Sequence, residues 1–82
     1  MQLNQEFMEK LGTQIIRDLV SKGCSRWHIM KEVRRIENRP NLSYNTVTDW
    51  YIGKYCDESH EKTLQQIRYE YCMSKGISPF KA

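Results

Sequence analysis

The chain has 82 residues, of which 39% are hydrophobic and 28% are charged, and its formal net charge is +3 at pH 7. A chain of this length forms one domain with a small core, and its apolar residues make no run long enough to cross a bilayer. We therefore expect neither a second domain nor a membrane-spanning segment.

The first residues carry no recognisable targeting signal. Met1–Glu6 lack the basic start and the apolar middle of a secretory signal peptide. We therefore expect a cytoplasmic protein whose three cysteines are reduced thiols.

The first predicted helix runs from an N-cap at Asn4 to about Ser21. Its apolar residues recur at helical spacing and predict a face that packs in the core: Phe7, Met8, Leu11, Ile15, Ile16, Leu19 and Val20. Gly12 lowers the stability of this helix by roughly 1 kcal/mol relative to alanine, so a break near this residue is an alternative.

The second predicted helix begins after Ser25, which stands in an N-cap position, and ends near Glu37 because Pro40 follows. One side is apolar and is expected in the core: Ile29, Met30, Val33 and Ile36. The other side, with His28, Lys31 and Arg35, is basic and is expected to face solvent.

The third predicted helix begins at Tyr44, because Ser43 occupies the N-cap position. At about 100° per residue, Val47, Trp50 and Tyr51 share one side and predict an inward face. The opposite side carries Asn45, Thr48, Asp49 and Ile52, and the first three of these side chains are short and polar. Such a face fits the DNA major groove, where asparagine pairs with adenine, although an ordinary surface helix is the alternative.

The fourth predicted helix runs from about His60 to Ser74, after possible caps at residues 57–59. Its narrow apolar stripe either closes the core or forms half of a homodimer interface: His60, Leu64, Ile67 and Tyr71. The predicted fold is therefore an all-α bundle of about four helices in residues 1–76, with a C-terminal tail in residues 77–82.

Positive charge is concentrated in the middle of the chain. Residues 17–39 contain seven Lys and Arg against three Asp and Glu, a net charge of +4, whereas the rest of the chain sums to −1. A basic segment immediately before a polar helix is typical of a nucleic-acid binder, although a solvated helix face with ion pairs is an equally ordinary explanation.

Several of these features together resemble the helix-turn-helix regulators of bacteria and phages. The features are Leu19 and Gly23, the capped second helix, and a third helix that opens at Ser43 and carries Val47 and Trp50 inside. The resemblance covers roughly residues 15–55, and the turn with Pro40 departs from the tightest form of the motif. The chain is also similar to the flagellar activator FlhC in these positions and in residues 75–80.

The resemblance implies a transcription regulator that binds double-stranded DNA through a helix-turn-helix at about residues 25–55. The residues it places in the groove are Ser43, Tyr44, Asn45, Thr46, Thr48 and Asp49. Those expected to hold the phosphate backbone are Lys31, Arg34, Arg35 and Arg39. This hypothesis requires Asn45 and Arg35 on one exposed basic surface, and it is weakened by Asp49, because a carboxylate repels phosphate.

The alternative function is that of a small phage or mobile-element protein that binds and modulates a host protein. Aromatic residues enriched in protein interfaces support it, and the candidate anchors are Trp27, Tyr51, Tyr55, Tyr69 and Phe80. This hypothesis requires an exposed aromatic patch.

Neither a metal site nor a catalytic centre is indicated. The pairs Cys24/His28 and Cys56/His60 repeat one spacing. Zinc sites generally use closer cysteine pairs, however, and Cys72 has no histidine at this spacing. The sequence contains no glycine-rich phosphate loop and no recognisable nucleophile arrangement. We therefore expect a non-enzyme without cofactor or metal.

Overall fold

The computed structural model describes residues 10–78, which fold into helices without any strand in that range. The four α-helices within this range are α1 (Leu11–Ser21), α2 (Arg26–Glu37), α3 (Tyr44–Tyr51) and α4 (Glu61–Lys75), and a 3₁₀ turn at Glu58–His60 precedes α4. The predicted all-α fold is confirmed. Four residues with predicted roles lie outside the described residues: the N-cap Asn4, Phe7 and Met8, which were expected in the core, and the aromatic anchor Phe80.

Serine side chains start two of the helices as predicted. The Ser25 hydroxyl accepts a 3.0 Å hydrogen bond from the His28 backbone N–H, and the Ser43 hydroxyl accepts one of 3.1 Å from Thr46. Each bond satisfies a backbone donor that has no partner within the first turn of its helix. These two caps therefore set the starts of α2 and α3.

The core combines the inward faces of all four helices. Its fully buried large side chains include Ile15, Ile16, Leu19, Ile29, Met30, Val33, Val47, Leu64 and Ile67. Leu11 was expected among them but is 39% exposed. The buried side of α1 is centred between Gly12 and Leu19, which places Leu11 about a quarter turn away from it.

The helix that contains Gly12 begins at Leu11, because Lys10 is extended with φ −66° and ψ 153°. The prediction of one unbroken helix from Asn4 to Ser21 is therefore wrong, and the alternative of a break near Gly12 is confirmed.

Gly12 lies in the first turn of α1 and is buried. A Cβ atom at this position would overlap the thiol of Cys56 and lie 3.2 Å from Leu64 Cδ1. The glycine therefore lets α1 approach the segment before α4 closely.

The third helix is held between the first two. It packs against both α1 and α2, and these two helices also contact α4. The Thr13 hydroxyl donates a 2.7 Å hydrogen bond to the Trp50 carbonyl oxygen, and this bond anchors the end of α3 to α1. Residues 38–43 join α2 to α3, and whether the pair functions as a helix-turn-helix stays a prediction, as does the boundary at residue 76.

Candidate nucleic-acid interface on the third helix

The faces of α3 lie as the sequence predicts. Val47 and Trp50 are buried, and Tyr51 packs against the core while remaining partly exposed. On the opposite side Asn45 is exposed and Thr48 is half-buried. The short polar side of α3 is therefore open to solvent and accessible to a partner.

Arg26, the first residue of α2, lies along one flank of this face. Its guanidinium carbon is 5.5 Å from the centre of the Tyr44 ring and 5.2 Å from that of Tyr51. Its Nη1 also donates to the Thr48 hydroxyl at 3.5 Å. The three residues that Arg26 contacts, Tyr44, Thr48 and Tyr51, share one side of α3 at helical spacing. Arg26 therefore lies along the whole length of this flank.

Two further residues extend this arrangement at its ends. The Arg17 guanidinium lies 5.9 Å from the Tyr51 ring centre, and its Nε donates a 2.8 Å hydrogen bond to the Tyr51 carbonyl oxygen. At the other end the Trp27 ring centre is 6.1 Å from that of Tyr44, and Trp27 is 56% exposed. We call the row Trp27, Tyr44, Arg26, Tyr51 and Arg17 the arginine–aromatic ladder.

Three of the residues that were predicted to contact DNA hold the turn before α3 in place. Arg34 donates a 2.8 Å hydrogen bond from Nε to the Leu42 carbonyl oxygen. The hydroxyls of Ser43 and Thr46 lie 2.9 Å apart and share a hydrogen bond. These three residues position the start of α3, whatever else they contact.

The remaining predicted phosphate contacts lie in different surroundings. Lys31 is exposed on α2. Arg35 pairs with Glu32 on its own helix and, at 3.2 Å, with Glu70 on α4. The hydrogen bond from Arg35 lowers the pKa of the Glu32 carboxyl. Arg35 is therefore held towards α4, in an ion pair that a phosphate would have to replace. No contact within residues 10–78 places Arg35 on one surface with Asn45, as the DNA hypothesis required.

Arg39 and Asp49 lie on the other flank of α3. Both line a cleft that also contains His60, and Arg39 pairs with Glu37 at 3.0 Å. Since Thr48 and Asp49 are successive residues, they face different flanks of the helix. The carboxylate that weakened the DNA hypothesis is thus on the flank away from the ladder.

Arg17 and Arg26 were not among the predicted contacts, although both belong to the basic segment. Their position next to α3 depends on how α1 and α2 cross it, and the periodicity of a single helix carries no such information. The tyrosines at both ends of α3 mark the flank that Arg26 occupies, but their spacing does not show which residue lies along it.

The cysteines and histidines do not assemble a metal site within residues 10–78, where no group of three or more potential ligands occurs. Cys24 and Cys56 are buried, and burial raises the pKa of each thiol to about 11. Over the same range, no helix has the length and apolar character needed to cross a membrane.

Comparison of the chain with known protein families, with curated proteins and with solved structures found no match.

Proposed function

We propose that the chain is a DNA-binding regulator of transcription that places the exposed face of α3 in the major groove. The observation that carries this proposal is the arginine–aromatic ladder. In it Arg26 lies over the rings of Tyr44 and Tyr51 and contacts Thr48, and Arg17 lies next to the Tyr51 ring. Cations fixed in advance lose less conformational entropy when they bind phosphate.

In the proposed complex, Asn45 contacts a base edge and Thr48 lies next to it. Arg26 and Arg17 hold phosphates on one side of the groove, and the exposed Lys54 at the end of α3 adds a third cation. Arg34 and Ser43 position the helix. The role is one of binding, and we propose no catalytic step or cofactor.

A fluorescence-anisotropy titration of random-sequence duplex DNA at several salt concentrations tests this proposal. Each phosphate contact contributes about 0.9 to the slope of log affinity against log salt, so Arg26→Gln should reduce the slope by about one. Arg35→Gln is the matched control, because it removes the same charge from an arginine paired with α4. It should leave the slope unchanged.

Two results would contradict the proposal. One is the absence of binding to duplex DNA at low salt by the folded wild type. The other is an equal loss of slope in Arg26→Gln and Arg35→Gln, since that would indicate attraction by overall charge without use of the ladder.

Protein binding is a second candidate function, favoured by the outer side of α4. Tyr69 and Met73 lie one turn apart there, and each is about half exposed. A homodimer or a host protein would cover them. Sedimentation equilibrium of the wild type and of Met73→Asp tests the homodimer, which the introduced charge should dissociate.

A further inference from the structure

A cleft of about 680 Å³ opens on the flank of α3 opposite the ladder. It lies between the turn at residues 38–43, α3 and the segment before α4. The side chains that matter for its chemistry are Arg39, Asp49, Trp50, Tyr55 and His60. None of these residues has a role in the proposed DNA complex.

Two of the side chains that line this cleft, those of His60 and Trp50, are nearly buried. His60 is 9% exposed and Trp50 is 3% exposed, and their rings stack with centres 4.4 Å apart. Within residues 10–78 every fully buried side-chain nitrogen or oxygen has a hydrogen-bond partner. No hydrogen bond of His60 Nε2 or Trp50 Nε1 occurs within that range, and both residues line the cleft.

The hydrogen bond at Nδ1 of the His60 ring determines whether Nε2 donates or accepts a hydrogen bond. Nδ1 lies 3.0 Å from a carboxylate oxygen of Glu37, so a proton on Nδ1 is donated to that carboxylate. In the neutral ring, Nε2 then carries a lone pair and accepts a hydrogen bond. While the ring is neutral, the cleft thus contains an acceptor on a ring that is held in place by stacking and by the hydrogen bond to Glu37.

Arg39 and Asp49 carry the opposite charges among the residues that line the cleft, and only the charge of Asp49 is not balanced by an ion pair. Arg39 lies 3.0 Å from Glu37, which balances its charge. The half-buried carboxylate of Asp49 makes no hydrogen bond and no ion pair within residues 10–78. An anionic ligand would therefore meet repulsion, whereas a cation would neutralise Asp49.

We propose that this cleft binds a small organic ammonium ion that carries an aromatic ring. The ammonium group donates hydrogen bonds to the Asp49 carboxylate and to His60 Nε2, and the ring packs against Trp50 and Tyr55. The Trp50 indole N–H remains as a donor for an oxygen atom of the ligand. The binding of this cation does not depend on the proposed DNA interface.

The test uses tyramine as the probe and follows the indole N–H resonances of the two tryptophans by ¹⁵N NMR. Tyramine should shift the Trp50 resonance saturably, whereas Trp27, on the other flank of α3, serves as an internal control. Tyrosol, in which a hydroxyl replaces the amine, should produce no saturable shift.

Asp49→Asn should weaken the binding of tyramine by at least about tenfold, because the variant loses the charged acceptor. Asp57→Asn is the matched control: this carboxylate is exposed, accepts a hydrogen bond from Ser59 and does not line the cleft. Tyr55→Asn is a second variant. It removes the exposed ring at a positive φ of 58°, which asparagine tolerates, and should also weaken binding.

The proposal is overturned if tyramine produces no saturable shift of Trp50 at millimolar concentration, or if tyrosol binds equally well. It is also overturned if Asp49→Asn retains the wild-type affinity, or if Asp57→Asn loses as much. DNA is absent from this assay, so its outcome is independent of the DNA-binding measurement.

Discussion

The buried hydroxyl of Thr13 donates a 2.7 Å hydrogen bond to the carbonyl oxygen of Trp50 and so joins α1 to the last turn of α3. Thr13→Val keeps the shape of the side chain and removes this donor. We expect the free energy of unfolding to fall by about 1 kcal/mol, since the carbonyl still accepts a bond from the Gly53 N–H. Urea denaturation measures the change.

Thr63→Val is the control for this substitution. Thr63 is also nearly buried, but its hydroxyl has no hydrogen-bond partner within residues 10–78. The same chemical change there should alter the free energy of unfolding by less than about 0.5 kcal/mol. Equal effects at the two positions would show that the bond to Trp50 does not stabilise the fold.

Gly12→Ala should destabilise the protein by about 2 kcal/mol or more, because the new methyl group would overlap the Cys56 thiol. Alanine favours helix at an unhindered position, so the intrinsic propensity acts in the opposite direction. Cys56→Ala removes the overlapping sulfur. In a double-mutant cycle measured by urea denaturation, Gly12→Ala should therefore cost less in the Cys56→Ala background, and additive effects would contradict the proposed overlap.

The sequence was sufficient to predict the local features of the fold. The hydroxyls of Ser25 and Ser43 cap their own helices, and the inward position of Val47 and Trp50 follows from the helical repeat. These features depend on residues within one or two turns of each other. The early part of α1 was less predictable, since the position of Leu11 depends on which side of the helix meets α4.

The candidate sites depend on contacts between distant parts of the chain. Arg35 pairs with Glu70, which is 35 residues away, and Arg17 contacts Tyr51 across 34 residues. The cleft likewise joins Asp49 on α3 to His60 before α4. Periodicity shows which side of a helix faces inward, but the neighbour of each exposed side chain depends on how the helices cross.

Two of the three buried thiols, those of Cys24 and Cys56, should make the fold less stable in alkaline solution. Burial raises the pKa of Cys24 and of Cys56 from 9.0 to about 11. Between these values the unfolded chain loses protons that the folded chain retains, so the free energy of unfolding falls as the pH rises. Below pH 9 this contribution is fully present. The loss should reach roughly 2 kcal/mol per thiol near the upper value.

Urea denaturation at a series of pH values measures this loss. Lysine and tyrosine side chains also titrate in the same range, so the informative quantity is the difference between the wild type and Cys24→Ala. The variant should lose less stability than the wild type as the pH rises. Parallel curves would show that the Cys24 thiol does not contribute.

Asn45 and Arg26 should affect DNA binding in different ways if α3 reads bases while the ladder holds phosphate. With a duplex obtained by selection from random sequences, Asn45→Ala should reduce the preference over random DNA by roughly 1 to 3 kcal/mol. It should leave the salt slope unchanged, because no charge is lost. Arg26→Gln should weaken binding to both duplexes alike and reduce the slope. Competition titrations of both variants at two salt concentrations separate these effects. A reduced slope in Asn45→Ala, or a loss of preference confined to Arg26→Gln, would reverse the assigned roles.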